Sequence, residues 1–385
     1  MKREAGNNLR VADKGGFPHY MLKEIFEQPQ GLRDTILPRV SLETGEIRLN
    51  EVKIGREELR ALRRIHIVAS GTSRHAGMTG QYMIQELANL PADVDYASEF
   101  EYRNPIIGTG ELTIVITQSG ETADTTAAQR EAKARGSRTI AISNVVNSTI
   151  AREADGVLYT NAGPEVSIAS TKAFTAQMAV LFLLAAYLGQ ERGHLSTDQV
   201  RHHIAELLEL PAKVTTALAS APQCEKLAEK YRSAQDFLFL GRAIHYPIAM
   251  DGALKLKEVS YVHAEGYPTG ETKHGPNALI DENLPIVIIS TRDRNDAGSV
   301  VRYEKNVANI KSFKQQSARV IAIATEGDDE LGRIADHTIF VPQASELLSP
   351  ILEIVPLQLF AYYMAVKKGL DVDRPRNLVK SVTQE

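Results

Sequence analysis

The sequence predicts an α/β protein of two tandem, doubly wound parallel-sheet units, each a three-layer α/β/α sandwich, followed by a C-terminal tail. Apolar runs of strand length alternate with longer stretches of helical pattern, the order that builds a parallel sheet covered by helices on both faces. The pattern also occurs twice. Residues 65–71 match 237–242 as strand, turn and helix start; 112–116 match 285–289, 139–142 match 320–323, and 156–159 match 338–341. The helices after Glu165 and Glu346 match as well. These pairs lie roughly 170 to 180 residues apart in constant order, which marks an internal duplication.

Taken in order, residues 1–50 read as an N-terminal arm. Within it, 1–12 is a short polar leader, and a glycine-containing start at 15–18 leads into a short helix over 20–26 that stops near Pro29. Residues 51–196 form the first unit, the charged helical stretch 197–230 is a connector, and 231–370 form the second unit. The tail, 371–385, has no core periodicity and holds two arginines, a proline and a lysine, the composition of a frayed end. The most apolar windows, 174–188 and 351–366, fall short of the roughly 20 residues a spanning helix needs. The second also carries Glu353 and Pro356, so both read as buried core helices.

Composition narrows the function. A chain of 385 residues, 43% hydrophobic and 24% charged, can bury the core of about two domains. Its net charge of -4 and the lack of any long basic run argue against nucleic acid or a membrane as partner, so the ligand should be small. A lone cysteine, Cys224, in a polar helical stretch allows no disulfide framework or cysteine-built zinc site and reads as incidental. With no apolar signal segment at the N-terminus, the expected location is the cytoplasm.

The most informative stretch is 112–125, where an apolar strand runs into a hydroxyl-rich turn that opens a helix. Thr117, Gln118, Ser119 and Thr122, with the first backbone N–H groups of that helix, converge on one point and suit a small phosphate monoester. The turn holds no lysine or arginine and no glycine run, so it is neither a P-loop nor a dinucleotide fingerprint. Two more turns repeat the logic: Ser70, Gly71, Thr72 and Ser73 after the first strand, and 167–172 ahead of a later helix. All three should line one edge of one sheet. The second copy has Ser290, Thr291, Arg292, Asp293 and Arg294 in place of the Gln118 turn, so the phosphate cradle exists once per chain.

Residues 251–265 read as one helix carrying Asp251, Lys255 and Glu258 on one face. The pattern alone favours a solvated, salt-bridged face; the alternative is a proton-transfer site with Glu258 as base and Lys255 as its charge partner. The glycine-bounded loop 270–276 presents His274, a group able to change charge near neutral pH. Pattern arguments leave Lys380 as a solvated tail lysine.

These motifs resemble the sugar isomerase (SIS) family, and specifically the isomerase half of glutamine:fructose-6-phosphate aminotransferases. The resemblance rests on Ser-Gly-Thr-Ser at 70–73, Ala-Ser-Glu-Phe at 97–100 and Gln-Ser-Gly-Glu-Thr-Ala-Asp-Thr at 118–125. It continues through Ile-Ala-Ser-Thr-Lys-Ala-Phe-Thr at 168–175, Gly-Ala-Leu-Lys-Leu-Lys-Glu at 252–258, Lys-His-Gly-Pro at 273–276 and Arg-Asn-Leu-Val-Lys-Ser-Val-Thr at 376–383. It runs in unbroken order from about residue 13 to 385, the arm included.

The resemblance implies that Gly71, Thr72, Ser73, Thr117, Gln118, Ser119 and Thr122 bind a hexose 6-phosphate, with Ile168, Ser170 and Val379 as further contacts. It implies that Lys380 forms a Schiff base with C2 of fructose 6-phosphate, that Glu258 moves a proton between C1 and C2 beside Lys255, and that His274 opens the sugar ring. In that family the histidine comes from the other subunit, which implies a homodimer with shared sites. No cofactor and no metal are called for. The tail must then fold over the site and is expected to be ordered when sugar is bound.

The family's glutaminase half, with its N-terminal cysteine nucleophile, has no counterpart here. The expectation is a fragment, or a chain fed by ammonia from solution or a separate glutaminase. Ser70 stands where the family often has cysteine, Asp251 where it has glutamate, and the flanks of His274 are unusual. The leading function is conversion of fructose 6-phosphate and ammonia to glucosamine 6-phosphate, with glucose 6-phosphate a related ligand. The alternatives are an amino-sugar-phosphate deaminase working in reverse and a non-catalytic sugar-phosphate sensor.

Overall fold

The computed structural model describes residues 13–383; the leader read over residues 1–12 and the last two residues of the tail lie outside the described residues. After a two-residue hairpin, β1 (Val40–Ser41) with β2 (Glu46–Ile47), the first unit contributes β3 (Arg64–Ala69), β4 (Ala92–Tyr96), β5 (Glu111–Thr117), β6 (Arg138–Ser143) and β7 (Gly156–Tyr159). The second contributes β8 (Asp236–Gly241), β9 (His263–Pro268), β10 (Pro285–Ser290), β11 (Arg319–Thr325) and β12 (His337–Val341). Both sheets are wholly parallel, in the orders β4-β3-β5-β6-β7 and β9-β8-β10-β11-β12. The two orders are the same topology, so the repeat seen in four strand pairs extends to a fifth.

The central strands are near-continuous aliphatic runs because helices cover both of their faces. In the first unit Gly71–Ala88 packs on Lys172–Glu191; in the second Tyr246–Ser260 packs on Ser349–Lys367. The two long apolar helices would pass a test for membrane spans by length and composition, but 89% of each apolar window is buried inside the protein. Gly71–Ala88 also touches Tyr246–Ser260, and one apolar core runs through both units.

Two boundaries differ from the sequence reading. Pro29 does not stop the arm: Tyr20–Phe26 is followed at once by Gln28–Ile36, with Pro29 in its first turn, where its missing N–H costs nothing. The helix read over 251–265 ends at Ser260, capped by Tyr261 at a φ of 57°, and His263 onward pairs as the edge strand β9. The connector forms two helices, Thr197–Leu218 and Ala221–Tyr231, and buries Cys224, whose thiol is pushed up to about 12 by desolvation. A thiol so placed is inert, as its context suggested.

Candidate functional site

In a doubly wound sheet the ligand crevice opens where the strand order reverses, beyond the carboxyl ends of the two strands that diverge. In the first unit these are β3 and β5, which lead into the Ser70 and Gln118 turns. Gly71 opens its helix at a φ of 53°. Gly120, at φ 71°, has no room for a side chain, since an added Cβ would stand 1.9 Å from Ser148 Oγ. Neither Ser70 nor Thr122 spends its hydroxyl on capping the helix behind it, so neither is a plain capped turn. The Thr117 and Thr122 hydroxyls lie 3.1 Å apart, and Gln177 donates to Ser73 Oγ at 3.0 Å.

The Ser167 turn joins the other two, as expected. A cleft of 220 Å³ is lined by Gly71, Thr72, Ser73, Thr117, Gln118, Ser119, Thr122, Ile168 and Ser170 from the first unit. Glu258 enters it from the second unit, and Leu378, Val379, Lys380, Ser381 and Val382 from the tail. One feature differs from the sequence reading of the cradle. The first N–H of the helix Ala123–Ala134 is not open to a ligand, because Ala123 N donates to the carbonyl of Val382 at 3.0 Å.

That bond is one of several that fix the tail, which is not frayed over its described length. Ser381 Oγ meets Ser119 Oγ at 2.9 Å, and Ile168 N donates to Asp373 O at 3.2 Å. Asp373 in turn accepts from the N–H groups of Tyr20 and Met21 at the start of the arm helix. The tail lysine is therefore no solvated side chain. Lys380 Nζ donates to Glu165 Oε2 at 2.8 Å and to the Ser167 carbonyl at 2.7 Å. Glu165 is buried, which opposes its ionisation, yet Lys380 and the N–H groups of Thr171 and Ala173 hold its carboxyl below the usual range.

On the opposite wall, the stripe of Asp251, Lys255 and Glu258 is not the solvated face that its pattern favours. Asp251 and Lys255 are fully buried, and Glu258 reaches the cleft. Lys255 Nζ donates to Glu258 Oε2 at 2.5 Å. Desolvation would push the Lys255 ammonium down; Glu258 and then Asp251 outweigh it and raise it. Asp251 itself takes His75 Nδ1 at 3.1 Å, tying the two units together behind the site. His274 stands apart. It is exposed at the end of the short turn Thr269–His274 and does not line this cleft. Glu165 was missed by the motif reading, although its match to Glu346 in the repeat marked it as a shared position. Among the described residues no group of three or more His, Cys, Asp or Glu side chains is gathered as for a metal ion.

The fold and this edge define a tandem α/β protein whose first unit carries a hydroxyl-lined cleft closed by its own tail. The chain belongs to the SIS domain family, whose profile matches residues 58–187 and 230–368. It is 50% identical over 378 residues to glutamine--fructose-6-phosphate aminotransferase [isomerizing] from Chlorobaculum tepidum, covering 98% of this chain and 60% of that protein. The enzyme of the same name from Thermus thermophilus is 48% identical over 377 residues, with 98% and 61% covered. The chain thus spans about three fifths of the length of these relatives. The solved C-terminal domain of glucosamine-fructose-6-phosphate aminotransferase from Francisella tularensis superposes with a TM-score of 0.89 at 38% identity, covering 94% of this chain and all of that one.

Proposed function

We propose that the chain converts fructose 6-phosphate and ammonia to glucosamine 6-phosphate, with the reaction run in the Lys380 cleft. The observation that carries this is the meeting of Lys380 and Glu258, 122 residues apart in sequence, across a hydroxyl-lined pocket of hexose-phosphate size. Thr117, Ser119 and Thr122 would hold the phosphate, with Gln118, Thr72, Ser73 and Ser170 on the sugar hydroxyls, placing C1 and C2 toward Glu258.

Lys380 Nζ would add to the C2 carbonyl and water would leave, giving an iminium ion on which ammonia replaces the lysine nitrogen. A protonated imine acidifies the C1 protons far more than a ketone does. Glu258 would take a C1 proton and return it at C2, leaving an aldehyde at C1 and an amine at C2. Lys255 pins the Glu258 carboxylate so that one face of the C1–C2 bond is served. No cofactor or metal is required by this chemistry.

His274 would open the sugar ring from a second subunit, since within its own chain it lies outside the cleft. On this reading the chain works as a homodimer, its ammonia drawn from solution or from a separate glutaminase, acting in the cytoplasm. The test is direct. Purified chain given fructose 6-phosphate and ammonium should form glucosamine 6-phosphate; failure to form it, with no interconversion of hexose phosphates, would overturn the proposal.

A further inference from the structure

The N-terminal arm places one more carboxyl group beside the Lys380 site. Glu24, on the helix Tyr20–Phe26, is 2% exposed and grips the turn that carries Glu165 and Ser167. One oxygen accepts from the N–H groups of Val166 at 2.5 Å and Ser167 at 3.2 Å; the other contacts the Ser167 hydroxyl. The carbonyl of the same Ser167 receives Lys380 Nζ. Arm, turn and tail lysine are thus one hydrogen-bonded unit.

The Ser167 hydroxyl sits between two oxygen atoms. Its Oγ lies against two acceptors, Glu24 Oε2 and the Ala169 carbonyl at 3.1 Å, but a hydroxyl has one proton to give. With Glu24 ionised, Ser167 donates to Oε2; with Glu24 protonated, its O–H donates to Ser167 Oγ and the serine proton turns to Ala169, so the same contacts serve both protonation states. The two surrounding charges act in opposite directions, Glu165 favouring a proton on Glu24 and Lys380 opposing it. Glu165 and Lys380 face Glu24 from the turn and the tail. The neighbouring charges are engaged elsewhere: Glu27 holds Lys172 at 2.6 Å and Lys23 at 3.6 Å, and Asp373 caps the arm helix. Desolvation first, then the Glu165 charge, lift the Glu24 carboxyl to about 7, against the opposing pull of Ser167, Val166 and Lys380.

We propose that Glu24 is a positioning residue and the proton counterweight of Lys380: it gains a proton when Lys380 loses one, and releases it when the lysine nitrogen is positively charged. This rests on the function proposed above, because only a lysine that must attack a carbonyl has to become neutral. The exchange balances. A proton leaves Lys380 Nζ and one arrives on Glu24 Oε2, so the group of Lys380, Glu24 and Glu165 stays at one negative charge in both states. Without Glu24's proton, neutral Lys380 would leave two buried carboxylates facing each other, an arrangement in which one must protonate.

The counterweight is tested by titrating Glu24 by carbon NMR of ¹³C-labelled glutamate side chains, with the Glu24 signal assigned by its loss in Glu24→Gln. In the unmodified protein Glu24 should titrate near neutrality, and in Lys380→Met its midpoint should rise by about one pH unit, because the lysine cation is gone. A midpoint in the ordinary carboxylate range, or one that Lys380→Met leaves unmoved, overturns the proposal. The second arm uses Glu24→Gln, whose amide can keep the grip on the 166–167 N–H groups and on Ser167. Labelling of Lys380 by acetic anhydride at neutral pH, read by mass spectrometry, should become several-fold faster, since one carboxylate that favours the ammonium has been removed. An unchanged labelling rate in a variant of unchanged melting temperature contradicts the charge role and leaves only a structural one. Neither arm contains sugar, so both outcomes are independent of whether Lys380 forms an imine.

Discussion

The two units share a strand order, yet the residues that line the corresponding edge differ. In the first, Thr72 and Ser73 follow β3, and Glu165 receives a lysine from a separate segment, the tail. In the second, Ile244 and His245 fall at the matching positions after β8, with Ala243 held at φ 49° where the first unit has Gly71 at 53°. Glu346, the counterpart of Glu165, is bound within the unit by His245 Nε2 at 2.9 Å and by Arg302 Nε and Nη2 at 2.7 and 2.9 Å. Glu353 takes the other ring nitrogen of His245 at 2.8 Å and the Thr291 hydroxyl. One topology thus yields two outcomes, decided by the turn residues. Where they are small hydroxyls a remote lysine from the tail completes the crevice; in the second unit Glu346 is held by Arg302 and His245 of the same unit, at the wall of a cavity of 610 Å³ that receives no tail residue.

That contrast is broken or sharpened by substitution, with the largest effect at Lys380. Lys380→Ala should abolish turnover outright while sugar-phosphate binding by calorimetry changes only a few-fold, since the hydroxyl turns remain. Glu258→Gln should come next, with kcat falling by about 10²- to 10⁴-fold and KM little moved. Steady-state kinetics measures both, and a change confined to KM would assign these residues to binding.

In the second unit the expected effect is on stability. Glu346→Gln leaves Arg302 and His245 without their shared carboxylate and should cost about 3 kcal/mol in denaturant unfolding. The pH dependence follows from the same pair. Desolvation raises the Glu346 carboxyl, but the hydrogen bonds and charges of His245 and Arg302 outweigh it and hold it far below its ordinary value. Its contribution is present above about pH 4 and lost as acid takes the pH down through the depressed folded value. His245 is pushed down by burial and Arg302, yet Glu353 and Glu346 raise it. Its contribution is complete below about pH 6.5 and lost as the pH rises through the elevated folded value. Melting temperatures across the pH range should show both losses, and Glu346→Gln should remove the acid one.

The smallest effect is expected at the cradle. Ser119→Ala and Thr122→Ala each remove about one hydrogen bond's worth of affinity, near 1 kcal/mol, so KM should rise about five-fold with kcat nearly constant. A pure loss of kcat at saturating sugar would contradict the anchoring role.

The repeat was legible because β3, β5, β6 and their partners are largely apolar runs of strand length, a pattern that survives without any knowledge of contacts. The fifth pair, β4 with β9, was not: Ala-Asp-Val-Asp-Tyr and His-Ala-Glu-Gly-Tyr-Pro are half-exposed edge strands, and the second read as a continuation of helix. The hydroxyl turns were legible as a cradle from composition alone. The stripe of Asp251, Lys255 and Glu258 misled, because helical spacing shows that residues share a face but not what covers it. Lys380 gained a role only through resemblance. Its partner Glu165 lies 215 residues away, and Glu24 lies 143 residues from Ser167, distances over which sequence pattern carries no signal.

The account depends most on the open edge of the first unit being completed by Lys380. Incubating the chain with fructose 6-phosphate and sodium borohydride would reduce any imine to a stable amine, and peptide mass spectrometry would locate it. The account predicts one hexose-phosphate adduct, on Lys380, absent from Lys380→Ala and from samples without sugar. No adduct, or one placed on Lys255 or another lysine, would contradict it.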